Sequence, residues 1–319
     1  MTLTELKYIV AVARERHFGR AAEACFVSQP TLSVAVKKLE DELAVTIFER
    51  GNNEVSLTEM GELIVAQAQR VLEETATIKE MAKQGKDPLH GPLRLGVIYT
   101  VGPYLLPSLV KQMIQRYPGM PLLLQENFTH KLLELLRQGE IDAAIMALPL
   151  PETGVQIQAL YDEPFMVALS KEHAKDPVWA KRKTVSSVEL KEETMLLLGS
   201  GHCFRDNVLE VCPEFARYSQ ATEGIQKTFE GSSLETIRHM VAAGIGITVL
   251  PQLAVPSPVP TDSLLQYLPF TQPVPSRRVV LAWRRSFTRT AAIDALSQAI
   301  RACSLPGVTW VEESASPQL

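Results

Sequence analysis

The sequence has no long hydrophobic run, few cysteines and no excess of positive charge. It contains no stretch of about 18 apolar residues, and it begins with an amphipathic segment instead of a signal peptide, so we expect neither a membrane span nor export. Four cysteines without a C-x-x-C pair are too few for a disulfide scaffold. We therefore expect a cytoplasmic protein in which any disulfide is transient. The net charge of −4 excludes a generally basic surface but permits a local basic face.

The first 57 residues have the pattern of three short helices followed by a hairpin. The predicted helices cover residues 4–13, 18–25 and the segment after Ser28. Thr4 is a candidate N-cap of the first helix, and Ser28 can cap the third, whose first turn tolerates Pro30. Residues 50–57 are typical of a tight hairpin. Residues 1–57 are therefore predicted to form an all-α winged helix-turn-helix domain.

Polar and charged side chains are distributed unevenly along the third predicted helix and the hairpin. The side chains able to contact base edges or phosphates are Gln29, Thr31, Ser33, Lys37, Lys38 and Arg50. The acids Glu40, Asp41 and Glu42 lie at the far end of the helix, and we expect them to point away from DNA. The alternative is a small helical packing unit whose lysines are merely solvated. Cys25 is expected in its core.

Residues 58–84 carry the longest helical pattern in the chain. The positions that recur at 3/4 spacing are Ile64, Ala68, Val71, Thr75, Ile78 and Ala82. Such a seam predicts a linker helix that forms a homodimer, although packing against its own domain is an equal alternative. Residues 84–92 are rich in glycine and proline and favour a hinge, so that linker and hinge together span residues 58–90.

From residue 91 onward, strand and helix patterns alternate, which predicts parallel sheets with right-handed crossovers. We expect an α/β regulatory domain over 91–303, with two lobes like those of periplasmic binding proteins. The boundaries are 91–162 and 265–303 for lobe I, 163–264 for lobe II and 304–319 for a disordered tail. Open sheets of this kind bind ligands at the carboxyl ends of their strands, and segments 99–103 and 127–130 follow two such ends.

The loop GSGHCFRD (199–206) places a cysteine in a reactive setting. Cys203 has a histidine before it, an arginine two positions after it, and small glycines that leave its sulfur accessible. A second cysteine, Cys212, follows without metal-ligand spacing. Such a pair is typical of a redox sensor, in which a sulfenic acid is trapped as a disulfide.

A helix between these two cysteines would hold them apart. If residues 204–212 are helical, nine steps of about 100° turn the side chains to opposite faces, and the rise separates them by roughly 13 Å. A disulfide needs Cα atoms within about 7 Å, so we expect oxidation to unwind the segment. The alternative is that Cys212, which follows an apolar run, is only a small core residue. Cys303 is expected to be a core or surface thiol.

Several motifs resemble the LysR-type transcriptional regulators over residues 1–303. In the N-terminal part these are HFGRAA (17–22), VSQPTLS (27–33) and KLEDEL (38–43). In the C-terminal part, YTVGPYLLP (99–107), GHCFRD (201–206) with Cys212, and SLETIR (233–238) are similar to the peroxide-sensing members of that family. Residues 213–226 match no motif.

The resemblance implies a site, partners and a reaction. It implies a peroxide-binding site at Cys203, built from Thr100, Thr129, His202, Arg205 and Asp206. It adds Arg20, Ser28 and Pro30 to the residues expected at DNA. It further implies double-stranded operator DNA as partner, a tetramer formed as a dimer of dimers, contact with RNA polymerase, and neither cofactor nor metal.

Other functions compete with this interpretation. A LysR-type regulator can respond to a small metabolite bound between its lobes, with Cys203 incidental. A thiol peroxidase would be an enzyme, but it would leave the helix-turn-helix unexplained, so we expect a protein that is not an enzyme. A transport-type binding protein would need an export signal.

The sequence predicts different DNA-binding defects for two substitutions. Gln29→Ala removes a base-edge contact and should relax sequence preference by about 1–3 kcal/mol. Arg50→Ala removes a phosphate contact and should weaken binding to all sequences alike, reducing the salt slope by about one. Binding to operator and mutated operator across a salt series measures both. Identical specificity profiles for both variants and wild type would contradict the assignment.

Overall fold

The structure, a computed structural model, describes residues 1–50, 55–83, 87–150, 154–213 and 233–312. An N-terminal unit is followed by a C-terminal unit that begins at Asp87. The predicted hairpin turn at 51–54, the start of the predicted hinge at 84–86 and most of the unmatched stretch 213–226 lie outside the described residues.

The N-terminal unit has the predicted helices and hairpin. Its elements are α1 (Leu3–Glu15), α2 (Phe18–Ala24), α3 (Gln29–Leu43), β1 (Phe48–Arg50), β2 (Val55–Leu57) and α4 (Glu59–Lys83). The two strands pair antiparallel. Ser28 caps α3 by accepting from the Thr31 amide, as predicted. The cap of α1 is Thr2 and not Thr4, because Thr2 and Glu5 form a reciprocal capping box.

The apolar faces of α1 and α3 meet in one core, which also receives the first half of α4. Ile9, Leu32 and Leu39 are fully buried there. The α4 side chains that pack on this core are Ile64, Val65, Ala68, Val71 and Leu72. Half of the predicted dimer seam is therefore used within its own domain, whereas Ile78, further along, is exposed.

The acidic end of α3 does not simply point away into solvent. The Glu40 carboxylate is buried and accepts from the amides of Ile47 and Phe48, at 2.7 and 3.2 Å. Glu42 pairs with the N-terminal amine of Met1 at 2.6 Å. A buried carboxylate needs such donors, so Glu40 fixes the start of the hairpin.

The first lobe of the C-terminal unit has the predicted β-α-β-α-β order. Its elements are β3 (Leu93–Ile98), α5 (Gly102–Arg116), β4 (Leu122–Asn127), α6 (Thr129–Gln138) and β5 (Ala143–Ala147). Strand β3 lies between β4 and β5 and is parallel to both. The carboxyl ends of these strands therefore share one edge of the sheet, as predicted.

One long strand joins the two lobes, and the predicted boundary between residues 162 and 163 falls within it. The remaining elements are β6 (Val155–Ser170), α7 (Cys203–Val211), α8 (Leu234–Ala242), β7 (Thr248–Pro251), β8 (Leu265–Pro269), β9 (Ser276–Arg284), α9 (Thr290–Arg301) and β10 (Thr309–Trp310). Residues 155–164 of β6 pair with β9 in the first sheet, and its second half pairs with β7 and β8 in the second. Each lobe has its own hydrophobic core.

Two predicted boundaries are wrong. Strand β8 belongs to the second lobe, since it pairs with the second half of β6, so the chain returns to the first lobe only with β9 and not at residue 265. The segment after 303 is not a disordered tail as far as residue 312. Strand β10 pairs with β6, and Arg301 lies over the Trp310 ring and donates to the Val311 carbonyl.

Candidate functional site

Cys203 is the first residue of α7. His202 is the N-cap residue, and Gly201 before it has a φ of +94°, a backbone conformation that favours glycine. The thiol is partly buried and packs against the core of the first lobe, although its helix belongs to the second. Cys203 therefore lies where the two lobes meet.

Cys212 is at the opposite end of the same helix and in a different core. It follows α7 directly, is fully buried, and packs in the second lobe. Neither sulfur is in a disulfide. The predicted helix between them is confirmed with a shift of one residue, and helical rise alone puts the two Cα atoms roughly 13 Å apart. They cannot form a disulfide until α7 changes.

Of the other two thiols, Cys303 lies in a core and Cys25 is partly buried beside one. Cys303 is buried in the first lobe, donates to the Ala299 carbonyl, and has its pKa raised by burial. Cys25 packs against the N-terminal core, where burial likewise raises its pKa.

A small cavity adjoins Cys203. Its lining residues are Ile98, Tyr99, Thr100, Asn127, Phe128, Thr129, Gly201, His202 and Cys203. They come from the carboxyl ends of β3 and β4 and from the start of α7. The cavity measures about 10 Å³, close to the space that one water-sized molecule requires.

Two buried polar atoms on this cavity have no hydrogen-bond partner among the described residues. They are Thr129 Oγ1 and His202 Nε2, and their residues are 8% and 6% exposed. Leaving a buried polar group unpaired costs about 1–3 kcal/mol, so such groups mark a place where a small polar ligand gains hydrogen bonds. Sequence-predicted residues Thr100, Thr129, His202 and Cys203 are thus brought together.

His202 is held in its neutral form. Its ring lies against Phe128, with centroids 4.8 Å apart, and against Tyr99 at 5.9 Å. Burial lowers the pKa of His202, because desolvation penalises the charged imidazolium. At neutral pH the site therefore holds an uncharged imidazole.

Arg277 is a residue of this site that the sequence analysis missed. Its guanidinium donates to Thr100 Oγ1 at 2.7 Å and to the Thr100 carbonyl at 2.9 Å, and it forms a fully buried ion pair with Glu163 at 2.8 Å. Glu163 also accepts from the Leu253 amide. The sequence pattern that indicates a buried Arg277 is the strand period of two, because Arg277 shares a face with the buried Val279 and Leu281.

Arg205 and Asp206 do not line the cavity. The Asp206 side chain is 75% exposed, and Arg205 lies 3.9 Å from it and lines a different cavity beside Phe204. Position two after Cys203 lies about 200° around the axis of α7, so Arg205 faces away from the Cys203 side, whereas Asp206 at position three lies nearer that side but has an exposed side chain. Their predicted place in the peroxide-binding wall is wrong for this structure.

The residues expected at DNA are distributed over α2, α3 with its N-cap, and the end of β1. Ser28, Gln29, Pro30 and Thr31 are exposed in and before the first turn, and Ser33 is half-buried. The basic side chains also have protein partners. Arg20 donates to the Glu15 carbonyl, Lys37 pairs with Asp41 at 3.0 Å, and Lys38 pairs with Glu5 at 3.4 Å. Arg50 is the last residue of β1.

Comparison with known proteins places this architecture in a family. Residues 3–62 match the bacterial regulatory helix-turn-helix domain of the lysR family, and residues 86–303 match the LysR substrate binding domain. The chain belongs to the LysR family of bacterial regulators. In the described residues no helix is both long and apolar enough to cross a membrane.

Within that family the chain falls in the OxyR group. It is 42% identical over 302 residues to the DNA-binding transcriptional dual regulator OxyR of Escherichia coli, covering 95% of both chains. A full-length OxyR cysteine-to-aspartate variant from Pseudomonas aeruginosa matches with a TM-score of 0.70 at 51% identity, over 99% of each chain. A hydrogen peroxide-bound cysteine-to-serine variant of Corynebacterium glutamicum OxyR matches with a TM-score of 0.60 at 33% identity, over 94% of this chain and 91% of that one.

The lowered pKa of His202 predicts a pH dependence of stability. Between its folded pKa and the ordinary value of about 6.5, the unfolded chain binds more protons than the native chain. The stabilisation is therefore complete above that value and is lost as the pH falls below it. Denaturant unfolding from pH 7 to pH 5 should show a steeper loss of unfolding free energy in wild type than in His202→Gln. Parallel curves would contradict the burial of a neutral His202.

Proposed function

We propose that this protein is a hydrogen peroxide-sensing transcriptional regulator in which Cys203 is oxidised and then forms a disulfide with Cys212. The observation that carries the proposal is the cavity itself. A thiol and two unpaired buried polar atoms, Thr129 Oγ1 and His202 Nε2, adjoin one space of nearly molecular size. The homology to OxyR proteins supports the same reaction.

The first step is the attack of the Cys203 sulfur, as thiolate, on one peroxide oxygen. The S–O bond forms while the O–O bond breaks. Sulfur is oxidised by two electrons, and the peroxide is reduced to hydroxide, which takes up a proton and leaves as water. The Thr129 hydroxyl and the neutral His202 ring are the groups that hydrogen-bond the peroxide oxygens and orient them.

Thr100 is held in place by a buried ion pair. Arg277 donates to its hydroxyl and its carbonyl, and the buried Glu163 fixes the guanidinium. Because Arg277 occupies the Thr100 oxygen as donor, the Thr100 hydroxyl proton is directed elsewhere, which makes it a donor for an oxygen in the cavity. Arg277 and Glu163 act as positioning residues.

The second step joins the two cysteines. The Cys212 sulfur attacks the sulfenic sulfur of Cys203, the S–S bond forms and the S–O bond breaks, and the departing hydroxide leaves as water with the Cys212 thiol proton. This step requires α7 to unwind, and unwinding also removes Phe204 and Val208 from the core of the second lobe. The local reaction therefore remodels a packed lobe.

Remodelling of the regulatory domain is the signal that changes DNA binding. The protein acts in the cytoplasm as a homodimer through α4 and as a dimer of dimers on an extended operator, where it contacts RNA polymerase. It uses neither metal nor cofactor. Each chain reacts once per signal and is not an enzyme, since turnover would need a recycling reductant.

Thiol counting and footprinting test the proposal with matched cysteine variants. Stoichiometric peroxide should remove two of the four thiols in wild type and none in Cys203→Ser, because only Cys203 is expected to react with peroxide. Cys25 and Cys303 serve as internal controls. Cys212→Ser should lose the Cys203 thiol without holding the switched footprint. Cys203→Ser should still bind DNA as the reduced form does.

A Cys203→Ser protein that still switches its footprint with peroxide would contradict the assignment. Multiple turnovers without DNA binding would favour a thiol peroxidase. Unreactive thiols in a protein whose footprint responds to a metabolite would favour a metabolite-sensing regulator.

A further inference from the structure

Two aromatic side chains stand at the outer side of the Cys203 cavity. Tyr99 is 39% exposed and Phe128 is partly exposed, whereas Thr100, Thr129 and His202 behind them are buried. All five line the same cavity. The two rings therefore lie between solvent and the polar groups next to the thiol.

Strand register explains this arrangement. Ile98 at the end of β3 is paired with Asn127 at the end of β4. Tyr99 and Phe128 come directly after these strand ends, so the two rings follow equivalent positions of neighbouring parallel strands. One residue further on, the same equivalence brings Thr100 and Thr129 to the cavity.

The rings form a continuous set of contacts with the imidazole. Tyr99 and Phe128 meet edge to face with centroids 5.2 Å apart, and Phe128 meets His202 edge to face at 4.8 Å. The outer neighbour His130 stacks on Phe128 at 5.8 Å. Edge-to-face contacts of this kind are the preferred geometry of aromatic pairs, so the rings hold one another in place.

We propose that Tyr99 and Phe128 form a cap that sets the substrate class of Cys203, admitting hydrogen peroxide and excluding hydroperoxides with a bulky organic group. The inference rests on the proposed function. With an organic hydroperoxide ROOH, the S–O bond would form at the terminal oxygen and the alkoxide would leave as the alcohol ROH after protonation. The reaction is the same, but the cavity must then hold R.

The cavity is too small to hold an organic group R beside the thiol. At about 10 Å³ it is of the order of a water molecule, and an alkyl or aryl group would have to displace Phe128 or Tyr99. Hydrogen peroxide carries only hydrogen on either oxygen and can bond to Thr129 and His202 in both orientations. Exclusion by packed rings is steric, so truncating a ring should admit the larger class of substrate.

The test compares oxidation rates of Cys203 in the full chain with hydrogen peroxide, tert-butyl hydroperoxide and cumene hydroperoxide. The variants are Phe128→Ala and Tyr99→Ala, with Tyr99→Phe as the matched control that keeps the ring. Truncation should raise the ratio of the rate constant for each organic hydroperoxide to the rate constant for hydrogen peroxide about tenfold or more. Tyr99→Phe should resemble wild type.

The outcomes separate this inference from the proposed function. If hydrogen peroxide oxidises Cys203 in all variants and the selectivity ratio does not change, the cap is wrong and the sensor stands. If no hydroperoxide oxidises Cys203 in wild type, both are overturned. If circular dichroism shows that Phe128→Ala does not fold, the selectivity ratio of Tyr99→Ala decides the question, because Tyr99 is partly exposed. An unchanged ratio in Tyr99→Ala would then overturn the cap.

Discussion

The length of one helix constrains the whole regulatory mechanism. Helix α7 begins at Cys203 and ends immediately before Cys212, so it keeps two thiols at opposite ends and in different hydrophobic cores. The distance set by helical rise exceeds what a disulfide spans. The proposed oxidation can therefore be completed only by dismantling native structure, which turns a two-electron reaction into a conformational signal.

The two sides of the site differ in rigidity for physical reasons. On one side, Thr100 and Thr129 follow paired parallel strands, and the buried Arg277–Glu163 ion pair fixes Thr100. Breaking a buried ion pair strongly destabilises the fold, because it leaves an uncompensated buried charge. We therefore expect this side of the site to keep its structure. On the other side, Cys203 and His202 belong to the start of α7, whose packing must be given up. In the proposed mechanism the Cys203 sulfur therefore lies on the helix that must unwind, whereas Thr100 and Thr129 lie on the side that keeps its structure.

Features set by local chemistry could be predicted from the sequence. The Ser28 cap, the β-α-β-α-β order and the helix between Cys203 and Cys212 depend on spacing within a few residues, and the structure confirms them. Features set by long-range pairing could not. Arg277 reaches Thr100 across 177 positions, and β8 joins the second lobe through its pairing with β6. Asp206 was expected at the site only from the resemblance, and its exposed side chain does not line the cavity.

Hydrogen exchange at the amides of α7, compared between reduced protein and protein with a confirmed Cys203–Cys212 disulfide, tests the central claim most directly. We expect protection across residues 204–212 to be high in the reduced protein and to fall on oxidation, because the helical hydrogen bonds must open for the sulfurs to meet. Peroxide-treated Cys212→Ser should keep its protection. Unchanged protection in the disulfide-bonded protein would mean that the two sulfurs meet without unwinding α7, and it would contradict the account.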